Sequence, residues 1–230
     1  ADRSGQTSQL MTSVMGCGIR GQGHSSIETG KEGNLMLKRT LFAALLVVSG
    51  SAMASKALNN IPLVWSPTQS FAEFGAIDLN GIGNVKVQLN NFTDARKNPA
   101  LIAENHEKNP VRQVTTKDNV ASFVTDHVKE TFGKAGLTVV PDGGDVIVSG
   151  EIRDFFVNET DQYVGNATVY VTIANASGKV LWQGIAGGGA TNFGRSYKAD
   201  NYYETLSNAV LKLSNSLLNS PGFHGALQSH

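Results

Sequence analysis

The sequence predicts an α+β protein, a two-layer sandwich in which a mainly antiparallel sheet carries two amphipathic helices on one face. Three observations lead there. Between Asp145 and Thr191 three strand-like segments follow one another almost without interruption. One helical stripe precedes that run and another follows it, each with a single apolar face to bury. One face of a sheet is the surface that accepts both.

The elements follow in order. Residues 1–35 are rich in Gly and Ser and read as a disordered segment, or as sequence upstream of a natural start at Met36. Residues 36–54 have the pattern of a signal peptide. Lys38 and Arg39 precede the apolar run Leu41–Val48, and Ala52-Met53-Ala54 is a small-x-small site with cleavage after Ala54. A membrane span needs roughly 20 apolar residues, so no stable insertion is expected once the signal is removed. The expected location is the periplasm.

Residues 55–84 form an extended N-terminal segment, because Pro62 and Pro67 disfavour the helical region in the residues before them. A single domain is expected over residues 85–220. Val85-Lys86-Val87-Gln88-Leu89 alternates as a strand, and Asn91 to Arg96 leaves it. From Asn98-Pro99 to Asn109-Pro110 the chain reads as a long, mobile polar loop. Asp118 to Ala135 is the first helix, capped by Thr116 or Asp118, with Val120, Phe123, Val124, Val128 and Phe132 on one stripe. Gly136-Leu137 fits a Schellman stop, and Leu137–Val140 is a short strand.

In the central run, Val146, Val148, Ile152 and Phe156 fall on even positions, with Asp154 breaking the pattern. The next strand has odd core parity through Ala167, Val169, Val171 and Ile173, and a turn at Asn175–Gly178 brings the third strand back. Gly187-Gly188-Gly189 in that third strand predicts a bulge, an edge or close contact with another element. Asp200 opens the last helix, whose seam runs through Tyr203, Leu206, Val210, Leu213 and Leu217. Ser220-Pro221-Gly222 ends it and leaves residues 221–230 as a tail.

The order of elements, the export signal, the exit of the first strand through Asp94-Ala95-Arg96, the helix end at Lys134-Ala135-Gly136-Leu137-Thr138-Val139 and the last helix from Asn201 to Leu218 together resemble the YajG family of bacterial envelope lipoproteins. The resemblance covers roughly residues 63–218. It implies a periplasmic α/β domain without an assigned enzymatic activity, tethered to a membrane through an acylated N-terminal cysteine. This chain has Ser51-Ala52-Met53-Ala54-Ser55 where that cysteine belongs, which favours a soluble periplasmic form.

Composition narrows the chemistry. The formal net charge is zero, so a basic nucleic-acid-binding surface is not expected. Cys17 is the only cysteine and precedes the cleavage site, so a disulfide framework within one chain and thiol catalysis in the mature chain are excluded. No catalytic, cofactor-binding or metal-binding residue is assigned. Glu104, His106 and Glu107 sit in the polar loop without a second ligand cluster, and His127 reads as a core or boundary histidine.

The candidate interaction residues are Asn91, Phe92, Asp94, Arg96 and Trp65. Asp94 and Arg96, two apart on an extended segment, point to the same side as a loop-fixing ion pair or a polar patch for a partner. The favoured reading is a non-enzymatic exported protein that acts as an interaction or accessory module for an envelope protein partner. A periplasmic glycan- or peptide-binding protein, stacking ligand on Trp65, Tyr163 or Tyr170, is the alternative, and a hydrolase of unrecognised type the second. An open strand edge leaves a homodimer among the expected assemblies.

Overall fold

The computed structural model describes residues 57–230; the signal-peptide pattern and Cys17 lie outside the described residues. The sheet is organised around β6 (Val146–Glu159). One edge of β6 pairs antiparallel with β7 (Gln162–Asn175), and β7 pairs antiparallel with β8 (Val180–Phe193), as the alternation predicts. The opposite edge is shared end to end by three short parallel strands. β1 (Lys86–Leu89) lies beside Val146–Val148, β2 (Thr93–Asp94) beside Glu151–Ile152, and β3 (Leu101–Asn105) beside Val157–Glu159. β4 (Arg112–Thr115) pairs antiparallel with β3, and β5 (Thr138–Val140) runs parallel beside β1. The sheet is therefore mixed. Parallel neighbours need a crossover, and α1 (Val120–Lys134) supplies the one between β1 and β5.

The segment expected to be a mobile loop is thus the β3–β4 hairpin, and Ile102, Ala103 and Asn105 are fully buried on it. Three apolar residues in a row carry no alternation, so the strand has no visible period in sequence.

A second correction concerns β6. Its register with β7 slips between Ile152 and Asp154, a bulge that reverses the facing of every later residue. Val146, Val148 and Ile152 are buried as expected, but beyond the bulge the core takes Phe155, Val157 and Glu159, while Phe156 is only partly buried.

Both main helices pack on the same face. α1 is capped by Asn119, whose side chain accepts from Ser122 N–H, rather than by Thr116 or Asp118. Asp118 Oδ2 instead accepts from Leu63 N–H at 2.7 Å. The Schellman stop forms, with Leu137 N–H donating to Phe132 O and Gly136 at φ 97°. α2 (Ala199–Leu218) crosses β7 and β8. At Gly188 a Cβ would lie 2.1 Å from Ala209 O and 2.3 Å from Leu213 N, so only glycine lets the helix backbone come this close. The glycine run predicted to mark an edge or a close contact marks both, on a strand whose register continues unbroken through it.

Residues 221–230 are not a tail. α3 (Pro221–Gln228) starts with Pro at its first position and Ser220 as its cap. It buries Phe223, Ala226 and Leu227, and Phe223 meets Phe132 of α1 edge-on at 5.4 Å. The N-terminal segment is extended but not free. It is tied to the end of β4 through Ile61 N–H to Thr115 O, and it straps the helical layer through Ser66 N–H to Ser207 Oγ and Thr68 N–H to Asn208 Oδ1. A single 3-10 turn, Phe71–Phe74, interrupts it.

Candidate functional site

The five residues singled out in sequence do not converge on one site. Asp94 and Arg96 do form an ion pair, and it is more enclosed than two residues on a loop suggest. Arg96 Nε and Nη2 reach Asp94 Oδ1 and Oδ2 at 2.9 and 2.7 Å, in the bidentate geometry that a planar guanidinium favours. Nη1 donates to Leu101 O and Phe155 O, both at 3.0 Å, and Nη2 to Pro99 O at 2.7 Å. With side chains only 8% and 14% exposed, the pair is a clasp that ties the end of β2 to the start of β3 and to β6 just past its bulge. Every N–H of the guanidinium is used, so the loop-fixing role is filled and no donor is left for a partner.

Beside the clasp, Asp154 at the bulge has its carboxyl raised above the ordinary range by burial, an effect offset in part by the Phe155 N–H and the Arg96 charge. Phe92 is 4% exposed, and its N–H donates to Thr125 Oγ1 of α1 at 2.9 Å, which makes it a core residue rather than a contact surface. Asn91 is exposed and lines a shallow depression with Thr93, Glu151 and Tyr170.

Trp65 sits on the strap in a different neighbourhood. Its ring stacks on His127 of α1 at 3.9 Å and 9°, and Phe123 meets it edge-on at 6.1 Å. His127 also contacts Glu130 Oε2 at 3.2 Å, and Glu130 Oε1 accepts from Lys134 Nζ at 2.6 Å. Burial lowers the His127 pKa below its usual 6.5, outweighing the opposing effect of Glu130. The imidazole is thus a neutral stacking partner at pH 7. Beyond Trp65 a groove of about 700 Å³ opens between the strap and the C-terminal half of α1. Tyr163 is buried and offers no stacking surface, whereas Tyr170 lies on the helix-free face of the sheet.

The cluster that sequence reasoning missed lies around Glu159. This fully buried carboxylate accepts from the Tyr202 hydroxyl and, at 3.1 Å, from Tyr197 N–H. Tyr197 stands at φ 45°, in the left-handed region, and Arg112 stacks on its ring at 3.9 Å. Asn105, the β3 residue opposite Glu159, accepts from Arg112 Nη2 at 2.8 Å. Burial first, and the Glu159 carboxylate second, push the Tyr202 phenol far above its normal value. The hydroxyl therefore stays protonated and donates to Glu159. The bulge concealed the cluster, since only the reversed parity turns Glu159 inward.

Glu104 and His106 approach each other at 3.3 Å, and Glu107 faces Arg195 at 3.7 Å. Among the described residues no group of three or more His, Cys, Asp or Glu is arranged to hold a metal ion. No described helix is long and apolar enough to cross a membrane.

No family model matches the sequence, and no curated protein matches it. Solved structures do. A Xanthomonas campestris protein of the DUF330 family is 11% identical with a TM-score of 0.48, over 76% of this chain and 96% of its own. The PelC dodecamer subunit of Paraburkholderia phytofirmans is 13% identical with a TM-score of 0.40, over 60% and 89%. A candidate lipoprotein of Caulobacter crescentus is 6% identical with a TM-score of 0.35, over 60% and 88%. At these identities none of them assigns a role to a residue of this chain.

Proposed function

We propose that this chain is an exported, non-catalytic cell-envelope protein that works by contact with an envelope protein partner; the YajG-type resemblance supports the envelope location and the lack of an assigned enzymatic activity. The observation that carries the reading is the face of the sheet turned away from the helices. Tyr170 stands directly opposite Ile185 across the β7–β8 ladder, and Arg153 lies over the Tyr170 ring at 5.9 Å. Ile185 is 72% exposed and Phe193, further along the same side of β8, is 91% exposed. An aromatic ring, an arginine and a branched aliphatic side chain meeting on an open surface have the composition of a binding hot spot. The basic, apolar and small-residue order of Lys38 to Ala54 supports export.

The test places a photocrosslinking amino acid at Ile185 in the full-length precursor expressed in a bacterial host. The expected result is a periplasmic product shortened at Ala54 and one discrete adduct with an envelope protein, lost in Tyr170→Ala. Retention of the precursor in the cytosol, an adduct that persists in Tyr170→Ala, or crosslinking only to a second copy of the chain would overturn the proposal.

A further inference from the structure

The geometry points to the manner in which the partner binds: an extended segment of it adds to the free edge of β8 as a further strand of the sheet. The inference rests on the contact role proposed above and carries it from the open face to the edge beside it.

The molecule closes its other edges and leaves this one bare. The outer edge of β4 is taken by the strap, through Thr115 N–H to Leu58 O at 3.1 Å and Ile61 N–H to Thr115 O at 2.8 Å. At the opposite end of the sheet β5 is only three residues long. β8 runs for 14 residues and pairs with β7 alone. Among the described residues no backbone group of Val180–Phe193 bonds to anything outside that ladder. Alternate residues of a strand turn both N–H and C=O to one side, so about seven residues of β8 present both groups away from β7.

Exposed edges are ordinarily guarded by charge, proline or bulges. Between Val180 and Phe193 there is no Asp, Glu, Lys, Arg or Pro. The one register shift lies beside the β7–β8 turn, and the ladder is regular from Trp182 to Phe193. In place of a guard the strand carries Val180, Ile185 and Phe193, which are 51%, 72% and 91% exposed. All three stand opposite even-numbered residues of β7, and so on the open face. Gly187 and Gly189 lie between Ile185 and Phe193 on that face, where an added Cβ would meet nothing closer than 3.4 Å. They leave room for side chains from an added strand, which pack against their cross-strand neighbours.

A row of peptide groups repeating at every second residue is matched in full by another extended backbone, a repeat that saccharides and lipids lack. Helix α2 favours a bare segment over a second copy of the chain. It rests on β8 at Gly188, where a Cβ would lie 2.1 Å from Ala209 O. A second copy joined antiparallel across this edge would set its own α2 on the same face. The strands beneath the two helices would be about 4.8 Å apart, short of the roughly 8–10 Å between packed helices. An extended segment brings no such layer, and apolar residues at its alternate positions complement Ile185 and Phe193.

A photocrosslinking amino acid is placed in turn at Ile185, Gly187, Gly189 and Thr191 in the full-length precursor expressed in a bacterial host, and the crosslinked residues are mapped by mass spectrometry. One partner is expected at all four positions, with each step of two residues along β8 matched by a step of two along a single stretch of the partner. Gly187→Lys with Gly189→Lys supplies the charge that guarded edges carry, and is expected to reduce the Ile185 adduct about tenfold without lowering Tm. Gly187→Thr with Gly189→Thr is expected to retain it. In the purified protein, amide exchange over residues 182–193 is expected to alternate between slow, β7-bonded positions and fast, outward ones. Slow exchange at every one of these positions, adducts with a second copy alone, or an adduct undiminished by the lysines would overturn the proposal. Capture of a partner with crosslinks scattered over several of its segments would also overturn it while leaving the contact role of the open face standing, whereas the absence of any partner adduct would remove both.

Discussion

Arg96 and Glu159 are both withdrawn from solvent, and the molecule holds them in opposite ways. Arg96 is paired to Asp94, two residues away, and then saturated by three backbone carbonyls, so charge and every donor are accounted for within one corner of the sheet. Glu159 is satisfied from a distance, by a tyrosine hydroxyl on α2 and by a backbone N–H in the β8–α2 connection. Only the first was visible as a pair in the sequence. The difference teaches that a buried charge can be recognised in advance when its counter-ion is a local neighbour on an extended strand, and not when its partners arrive from other elements.

The sharpest way to break the comparison is at Arg96. Arg96→Ala leaves Asp94 enclosed without its counter-ion and removes the guanidinium donors to three carbonyls, and is expected to cost about 3–5 kcal/mol in urea-induced unfolding. Arg96→Lys keeps the charge but not the planar fork, and is expected to recover only part of that loss. Recovery to the stability of the parent protein would show that charge alone, and not the bidentate geometry, does the work.

A smaller effect is expected at the other site. Tyr202→Phe removes one of two donors to Glu159 without opening a cavity, and is expected to destabilise by about 1–3 kcal/mol, the cost of a buried acceptor left short of a partner. Combining it with Arg96→Ala checks whether the sites are separate. Their unfolding penalties are expected to add within roughly 0.5 kcal/mol, as for residues without shared partners.

The smallest effect concerns the strap. His127 titrates below 6.5 in the folded protein because burial disfavours its charged form, so the unfolded chain binds the proton more readily. The stability it contributes is complete above pH 6.5 and is lost as the pH falls below that value. Thermal unfolding between pH 7.5 and pH 5 is expected to show this loss in the parent protein and a reduced loss in His127→Phe, which keeps a flat ring against Trp65. An identical pH profile in the two proteins would remove His127 as its source.

Much of the fold was legible for one reason: its signals are local. The odd parity of β7, the apolar stripe of α1 and the Gly136-Leu137 stop each depend on residues within a turn or two of one another, and each appears where its period placed it; the α2 seam holds from Leu206 to Leu217, but its first buried ring is Tyr202 rather than the expected Tyr203. The apolar run of β3 was too short to carry a period, and α3 followed a Pro-Gly pair that reads as a terminator but serves as a helix start. Of the candidate residues, the Asp94–Arg96 pair was legible as a pair. Phe92 could not be recognised as core, since its burial depends on α1 and on the residues facing Gly150.

By itself, then, the sequence determined the two helices, the antiparallel meander, the ion pair at the end of β2 and the export pattern, because spacing along the chain specifies which side chains share a face. The tertiary structure decided that three short strands would share one edge of β6 and that a bulge would turn Glu159 inward. It also decided that the strap would lie over the helices and leave Gln69 walled into a groove. Those outcomes depend on contacts between residues tens of positions apart, and no local period encodes which distant surfaces will meet.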